Sequence, residues 1–186
     1  NSIAPSAVAL LNAHDIDVFF SPPYDASEVV AARMAELQPD ALMVRQGRID
    51  ASVIGASSRL KVIVKHGVGV DNVDLEAAAA LDIPVLRSLG SNALAVAEHA
   101  ISLMLALLKQ FPALDTAVKG GQWPKPSFIG RDIAGARLGL IGFGAIGRET
   151  ARLAVALGMD VAVYDPHAAG EIAAAGLAVA DDVEAL

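Results

Sequence analysis

The chain of 186 residues contains no cysteine. That absence excludes disulfides, thiolate nucleophiles and cysteine-ligated zinc. Aromatic residues make up only 4%, with one Trp and two Tyr. The core must therefore be built from small and branched aliphatic side chains rather than rings. No basic run is present, and the net charge is −7. Nucleic acid and anionic membrane are thereby disfavoured as partners, and none of either kind is expected. The four histidines, His14, His66, His99 and His167, stand apart with no i,i+4 pair, so no metal site is expected. The most apolar stretch, 93–108, is shorter than the roughly 20 residues of a bilayer span, and Glu98 and His99 interrupt it. No basic region followed by an apolar core marks a signal peptide. A cytoplasmic protein with no membrane partner is the expectation.

What is present is apolar and regularly spaced. Hydrophobic residues make up 54% of the chain, too many for a disordered segment. Segments 17–20, 41–44, 60–65 and 85–87 read as strands. Each is continuously apolar rather than alternating, as expected of strands covered on both faces. Helical patterns at 26–37, 51–57 and 75–81 lie between them, with Asp74 as N-cap of the last. The β-α-β-α order predicts an α/β fold with a parallel, three-layer sheet. Segment 92–109 reads as one long helix, apolar nearly all round, which predicts burial on several sides. A glycine- and proline-rich stretch, 120–130, reads as loop. A second alternating unit follows: strand 137–141, helix 145–157, strand 160–164, helix 168–175 and strand 177–180, with a helix start at Asp181 and Asp182.

The second unit carries Gly142-x-Gly144-x-x-Gly147 between a strand and a helix, and Asp165 ends the next strand 18 residues later. Strand, glycines, helix, strand and terminal acid together form a dinucleotide-binding signature. Gly142 permits the tight turn, Gly144 admits the pyrophosphate to the backbone, and Gly147 lets the helix pack on the strand. The amides of Ala145 and Ile146 open the helix and suit a diphosphate. Asp165 can accept hydrogen bonds from the adenosine ribose, and its charge would repel a 2′-phosphate. The expected cofactor is therefore NAD rather than NADP.

An earlier strand runs into Gly67-Val68-Gly69, half of such a fingerprint with its third glycine missing. Three stretches in order, "KHGVGVDNVDLEAAAA", "GSNALAVAEHAISLMLALLK" and "LGLIGFGAIGRETARLAVALGMDVAVYDP", resemble the D-isomer-specific 2-hydroxyacid dehydrogenases, in their phosphoglycerate dehydrogenase-like branch. The resemblance implies a flavodoxin-like substrate domain over residues 1–91. It implies the interdomain helix and first part of a Rossmann NAD-binding domain over 92–186, with the active site in a cleft between the two. It assigns Gly67-Val68-Gly69 to the substrate carboxylate, gripped by the Val68 and Gly69 amides; successive amides in a glycine turn form such an anion site. Arg45 matches an arginine that reaches substrate, and Asn92 a residue that positions loop or substrate. His66 is expected to pack or face water, Glu98 to support the helix start, and His99 to be structural. Helix 92–109 corresponds to a dimer-interface helix, so a homodimer is implied.

Where the family has an asparagine and a proline, Arg87 and Leu89 stand here, so the nicotinamide-side wall is expected to differ in shape. The family's catalytic arginine, glutamate and histidine are expected downstream of this sequence, and its first strand upstream. No catalytic residue is therefore assigned within the chain. The implied reaction is reversible hydride transfer between NAD(H) and C2 of a small 2-hydroxy or 2-keto acid. A non-catalytic NAD(H)-sensing interaction protein on the same fold is the alternative. A Rossmann oxidoreductase acting on sugars or amino acids is a third reading, which the carboxylate loop disfavours.

Overall fold

The computed structural model describes residues 3–125 and 127–186. Pro126, within the stretch read as loop, lies outside them. The chain divides into two compact units, Asn1–Leu89 and Gly90–Leu186.

The first unit contains α1 (Pro5–Asn12), α2 (Ser27–Leu37), β1 (Ala41–Val44), α3 (Ala51–Ile54), β2 (Val62–Lys65), α4 (Leu75–Ala80) and β3 (Val85–Arg87). Its strands pair in parallel in the order β1-β2-β3, with Val44 beside Lys65 and Lys65 beside Arg87. Capping sets the helix starts. The Asp50 carboxylate accepts the Ser52 and Val53 amides at 3.1 and 3.3 Å, and Asp74 accepts the Ala77 amide at 2.9 Å. Val53, Ile54 and Ile63 are fully buried at the centre of an aliphatic core with Met34, Val44 and Ile83.

The second unit contains α5 (Ala93–Leu108), α6 (Phe111–Lys119), β4 (Arg137–Ile141), α7 (Ala145–Ala156), β5 (Asp160–Tyr164), α8 (Ala169–Ala174) and β6 (Ala178–Val179). Its strands are also parallel, in the order β4-β5-β6. Ile101 of α5 shares a core with Phe143, Ala151, Ala154, Val163 and Ile172.

Several expectations fail in instructive ways. Segment 17–20 forms no strand; Phe19 and Phe20 are exposed. Apolar character permits a strand, but a ladder needs a neighbouring edge. None of the described residues pairs here, and Pro22 and Pro23 lack the amide to extend one. Burial alternates along β1, β2, β4 and β5 instead of being continuous. Met43 and Ile141 stand 47% and 70% exposed, so within each unit one sheet face is better covered than the other. The long helix buries a stripe, not its whole circumference: Ala93, Ala97 and Ile101 are buried while Leu103 and Leu107 are exposed. It ends at Leu108, and Gln110 adopts φ 53°. The unanticipated α6 then leaves at an angle of 61°. Pro at its first turn and Gly120 at its C-cap were the available signals. At Asp182 the carboxylate accepts the Ala185 amide at 2.8 Å, yet only a turn follows. Among the described residues no single helix is long and apolar enough to cross a membrane.

Candidate functional site

In the second unit β4 delivers the chain into Gly142, whose φ of 97° favours glycine. Its amide donates to the Tyr164 carbonyl at 2.8 Å, tying the turn to the end of β5. A Cβ on Gly147 would collide with the Gly142 carbonyl oxygen, so α7 packs on the turn only because position 147 is bare. Gly144, the N-cap of α7, is the opposite case: a Cβ there would meet nothing within 4 Å. That open space lies before the exposed residues Ala145 and Ile146. Among the described residues their amides have no acceptor. All three glycines and both amides thus lie on one turn, and Asp165, just past the end of β5, bonds to it.

Asp165 does more than the sequence reading assigned. Its carboxylate accepts the Phe143 amide at 2.7 Å and the His167 amide at 2.9 Å. These bonds, Phe143 first, hold its carboxyl below the usual carboxylate range. The acid therefore braces the glycine loop and stays ionised, with a lone pair left on each oxygen. The buried Phe143 ring carries the Arg148 guanidinium 4.6 Å above its centroid. Arg148 also pairs with Glu171 of α8. This loop can hold a diphosphate and a ribose diol.

In the first unit β2 runs into Gly67, whose φ of 147° favours glycine. The His66 amide, one residue earlier, donates to the Val44 carbonyl at 2.8 Å, so the loop leaves the sheet beside the end of β1. Among the described residues the Val68 and Gly69 amides donate to no protein group. Arg45 and Gly69 border one open depression of about 590 Å³, together with Arg48, Lys65 and Asn72; Val68 is not part of its wall. Asn92 belongs to the second unit, where it is the exposed N-cap residue of α5 without a side-chain cap bond. Glu98 and His99 are exposed on the same helix.

Parallel α/β units, a braced glycine fingerprint and an earlier Gly-x-Gly loop beside an arginine occur here in one chain. The model of the D-isomer specific 2-hydroxyacid dehydrogenase catalytic domain matches residues 1–182. The chain belongs to the D-isomer-specific 2-hydroxyacid dehydrogenase family. Within it the chain is 44% identical over 133 residues to the D-3-phosphoglycerate dehydrogenase of Archaeoglobus fulgidus, covering 71% of this chain and 25% of that protein. It is 41% identical over 128 residues to the hydroxypyruvate reductase of Thermotoga maritima, covering 68% and 42% respectively. Its fold matches the crystal structure of a glyoxylate reductase from Paecilomyes thermophila with a TM-score of 0.80 and 27% identity, over 99% of this chain and 59% of that one. The chain thus spans between 25% and 42% of the length of these two curated relatives. The similarity supports the phosphoglycerate dehydrogenase-like branch of the 2-hydroxyacid dehydrogenases.

For this 2-hydroxyacid dehydrogenase family member, sequence reading missed Lys65, Asn72 and Phe143. Lys65 is a cation at the end of an otherwise apolar strand, which was a signal for a buried polar contact. Phe143 had no such signal, because its amide rather than its side chain meets Asp165.

Proposed function

We propose that this chain supplies cofactor- and substrate-binding parts of a D-2-hydroxyacid dehydrogenase. Unit 1–89 is read as the substrate domain and 90–186 as the start of the Rossmann cofactor domain. The carrying observation is the Gly142–Gly147 turn. Gly144 leaves open space next to the free Ala145 and Ile146 amides, and Asp165 braces the loop by accepting the Phe143 amide. These features fit a dinucleotide: the helix start presents N–H groups to a diphosphate, and the ionised Asp165 accepts from ribose hydroxyls. The same charge disfavours a 2′-phosphate, so the cofactor read here is NAD. When bound, the nicotinamide supplies the hydride acceptor or donor.

The chain's own residues bind and orient. The Val68 and Gly69 amides hold the carboxylate of a 2-hydroxy or 2-keto acid, and Arg45 pairs with its distal end. Asn92 positions substrate or loop. No proton transfer is assigned to a residue of this chain. The substrate class is a small D-2-hydroxy acid such as 3-phosphoglycerate, or the 2-keto acids glyoxylate and hydroxypyruvate. The exposed apolar stripe of α5 is read as a homodimer contact.

The experiment is to supply the full-length protein with NAD and a panel of D- and L-2-hydroxy acids and follow the absorbance of reduced nicotinamide. D-selective reduction of NAD is expected. Cofactor binding without turnover of any acid would move the protein to a sensing role.

A further inference from the structure

Lys65 is the nearly buried cation of the first unit, 9% exposed at the C-terminal end of β2. Its ammonium donates to the Arg45 carbonyl at 2.9 Å and to the Asn72 side-chain oxygen at 2.6 Å. The Asn72 amide group in turn donates to the Gly47 carbonyl at 2.5 Å. Both partners of the ammonium are neutral oxygens, and among the described residues it forms no ion pair. An ammonium has three N–H donors, so one remains. A desolvated charge with only neutral partners favours an anion nearby.

Arg45 and Arg48 line the depression with Lys65, and Asp50, Asp71 and Asp74 line it as well. The Asp50 and Asp74 carboxylates are turned to helix starts, accepting the Ser52, Val53 and Ala77 amides rather than the ammonium. The network also has mechanical content. The turn after β1 carries Arg45, and the loop after β2 carries the Val68 and Gly69 amides. Their outer ends are joined by the Ile49 amide donating to the Asn72 carbonyl and the Asp74 amide donating to the Ile49 carbonyl, both at 2.8 Å. Lys65 and Asn72 close the inner end.

We infer that Lys65 is a positioning residue that locks the Arg45 turn to the Val68–Gly69 loop and thereby selects ligands with a second anionic group beyond the 2-hydroxy-acid carboxylate. The inference rests on the carboxylate-loop reading proposed above. With the bridge intact, the Arg45 cation and the amide pair stand at a set separation, and the buried ammonium adds to the field that a second anion meets. Without it, Arg45 keeps its charge but loses the fixed base from which it reaches. A ligand with one anion depends on the amides alone and is less sensitive.

The test uses the full-length protein with NADH and compares hydroxypyruvate with 3-phosphohydroxypyruvate, which differ by one phosphate. The variants are K65M, which keeps length without charge, and K65R, which restores charge. K65M is expected to raise KM for the phosphorylated acid about tenfold relative to that for hydroxypyruvate, with K65R recovering most of the ratio. Equal rises in both KM values, or an unchanged ratio, would reduce Lys65 to a structural residue and overturn the inference. Should K65M lose its fold by thermal melting, N72A must show the same loss of selectivity, since it breaks the bridge while leaving the ammonium. A wild type that reduces hydroxypyruvate but not its phosphate overturns the inference alone. One that reduces neither acid overturns the functional reading along with it.

Discussion

Gly144 and Gly147 stand three residues apart under opposite constraints. Position 147 has no room for a Cβ against the Gly142 carbonyl, whereas position 144 opens onto empty space at φ −71°, which any residue adopts. Gly147→Ala is therefore expected to destabilise the full-length protein by about 2 kcal/mol, as overpacking does. Gly144→Ala is expected to leave stability within about 0.5 kcal/mol and to weaken NADH binding instead. Denaturant melts and a binding titration on the two variants separate these outcomes; equal melts would sink the distinction. Asp50 offers a residue-scale test in pH. Bonds from Ser52 first, then Ser27, lower its pKa from 3.8 to about 2. A lowered folded-state pKa means the unfolded state binds the proton more readily, so the contribution is complete above pH 3.8 and is lost as pH falls toward about 2. The stability gap between wild type and Asp50→Ala should be flat near neutrality and narrow across that acid window. A gap that persists unchanged at the acid end would contradict it.

At the scale of elements, α5 divides its circumference. Ala93, Ala97 and Ile101 recur at i, i+4 and i+8 and are buried, with Ile101 in the core of the second unit. Val96, Leu103 and Leu107 recur at i, i+7 and i+11 on another stripe and are 38%, 58% and 79% exposed. Charges on that second stripe cost the fold little, because those side chains already face outward, but they would be buried in a dimer. Under the homodimer reading proposed above, light scattering is expected to find the full-length protein dimeric and the Leu103→Glu, Leu107→Glu variant monomeric, with the unfolding midpoint of the monomer retained. An unchanged mass would remove α5 from the interface. The limits of sequence reading also show at this scale. The bounds of β1, β3, β4 and β5 follow directly from apolar runs between punctuating residues, and the caps at Asp50 and Asp74 form locally. Segment 17–20 has the same composition and fails, because pairing is a property of two segments. The end of helix 92–109 was read to within one residue, whereas α6 was missed although Pro112 in its first turn and Gly120 at its C-cap mark its ends.

Across the whole molecule, the proposed anion sites of a chain of net charge −7 rest on backbone amides and a small set of cations. The proposed preference for NAD rests on one fixed negative charge. The Phe143 and His167 amides keep Asp165 ionised beside the glycine loop, and on the reading proposed above that charge disfavours an additional phosphate. NADH at about 100 times its Kd is expected to stabilise the full-length protein by ~2.7 kcal/mol, and NADPH at the same concentration by much less. Asp165→Ser should narrow the NADH-over-NADPH preference about tenfold. Equal shifts by both cofactors in the wild type would contradict the assignment of NAD.

By itself the sequence determined the α/β order, the parallel strands, the glycine turn and the family, because each depends on local spacing or short-range steric need. Only the tertiary structure decided what the polar groups do. Asp165 braces a loop 22 residues away, and Lys65 reaches Arg45 across a strand boundary 20 residues away. Both bonds join groups whose proximity is created by parallel pairing. Local pattern carries no trace of such partners until the strands have set them side by side.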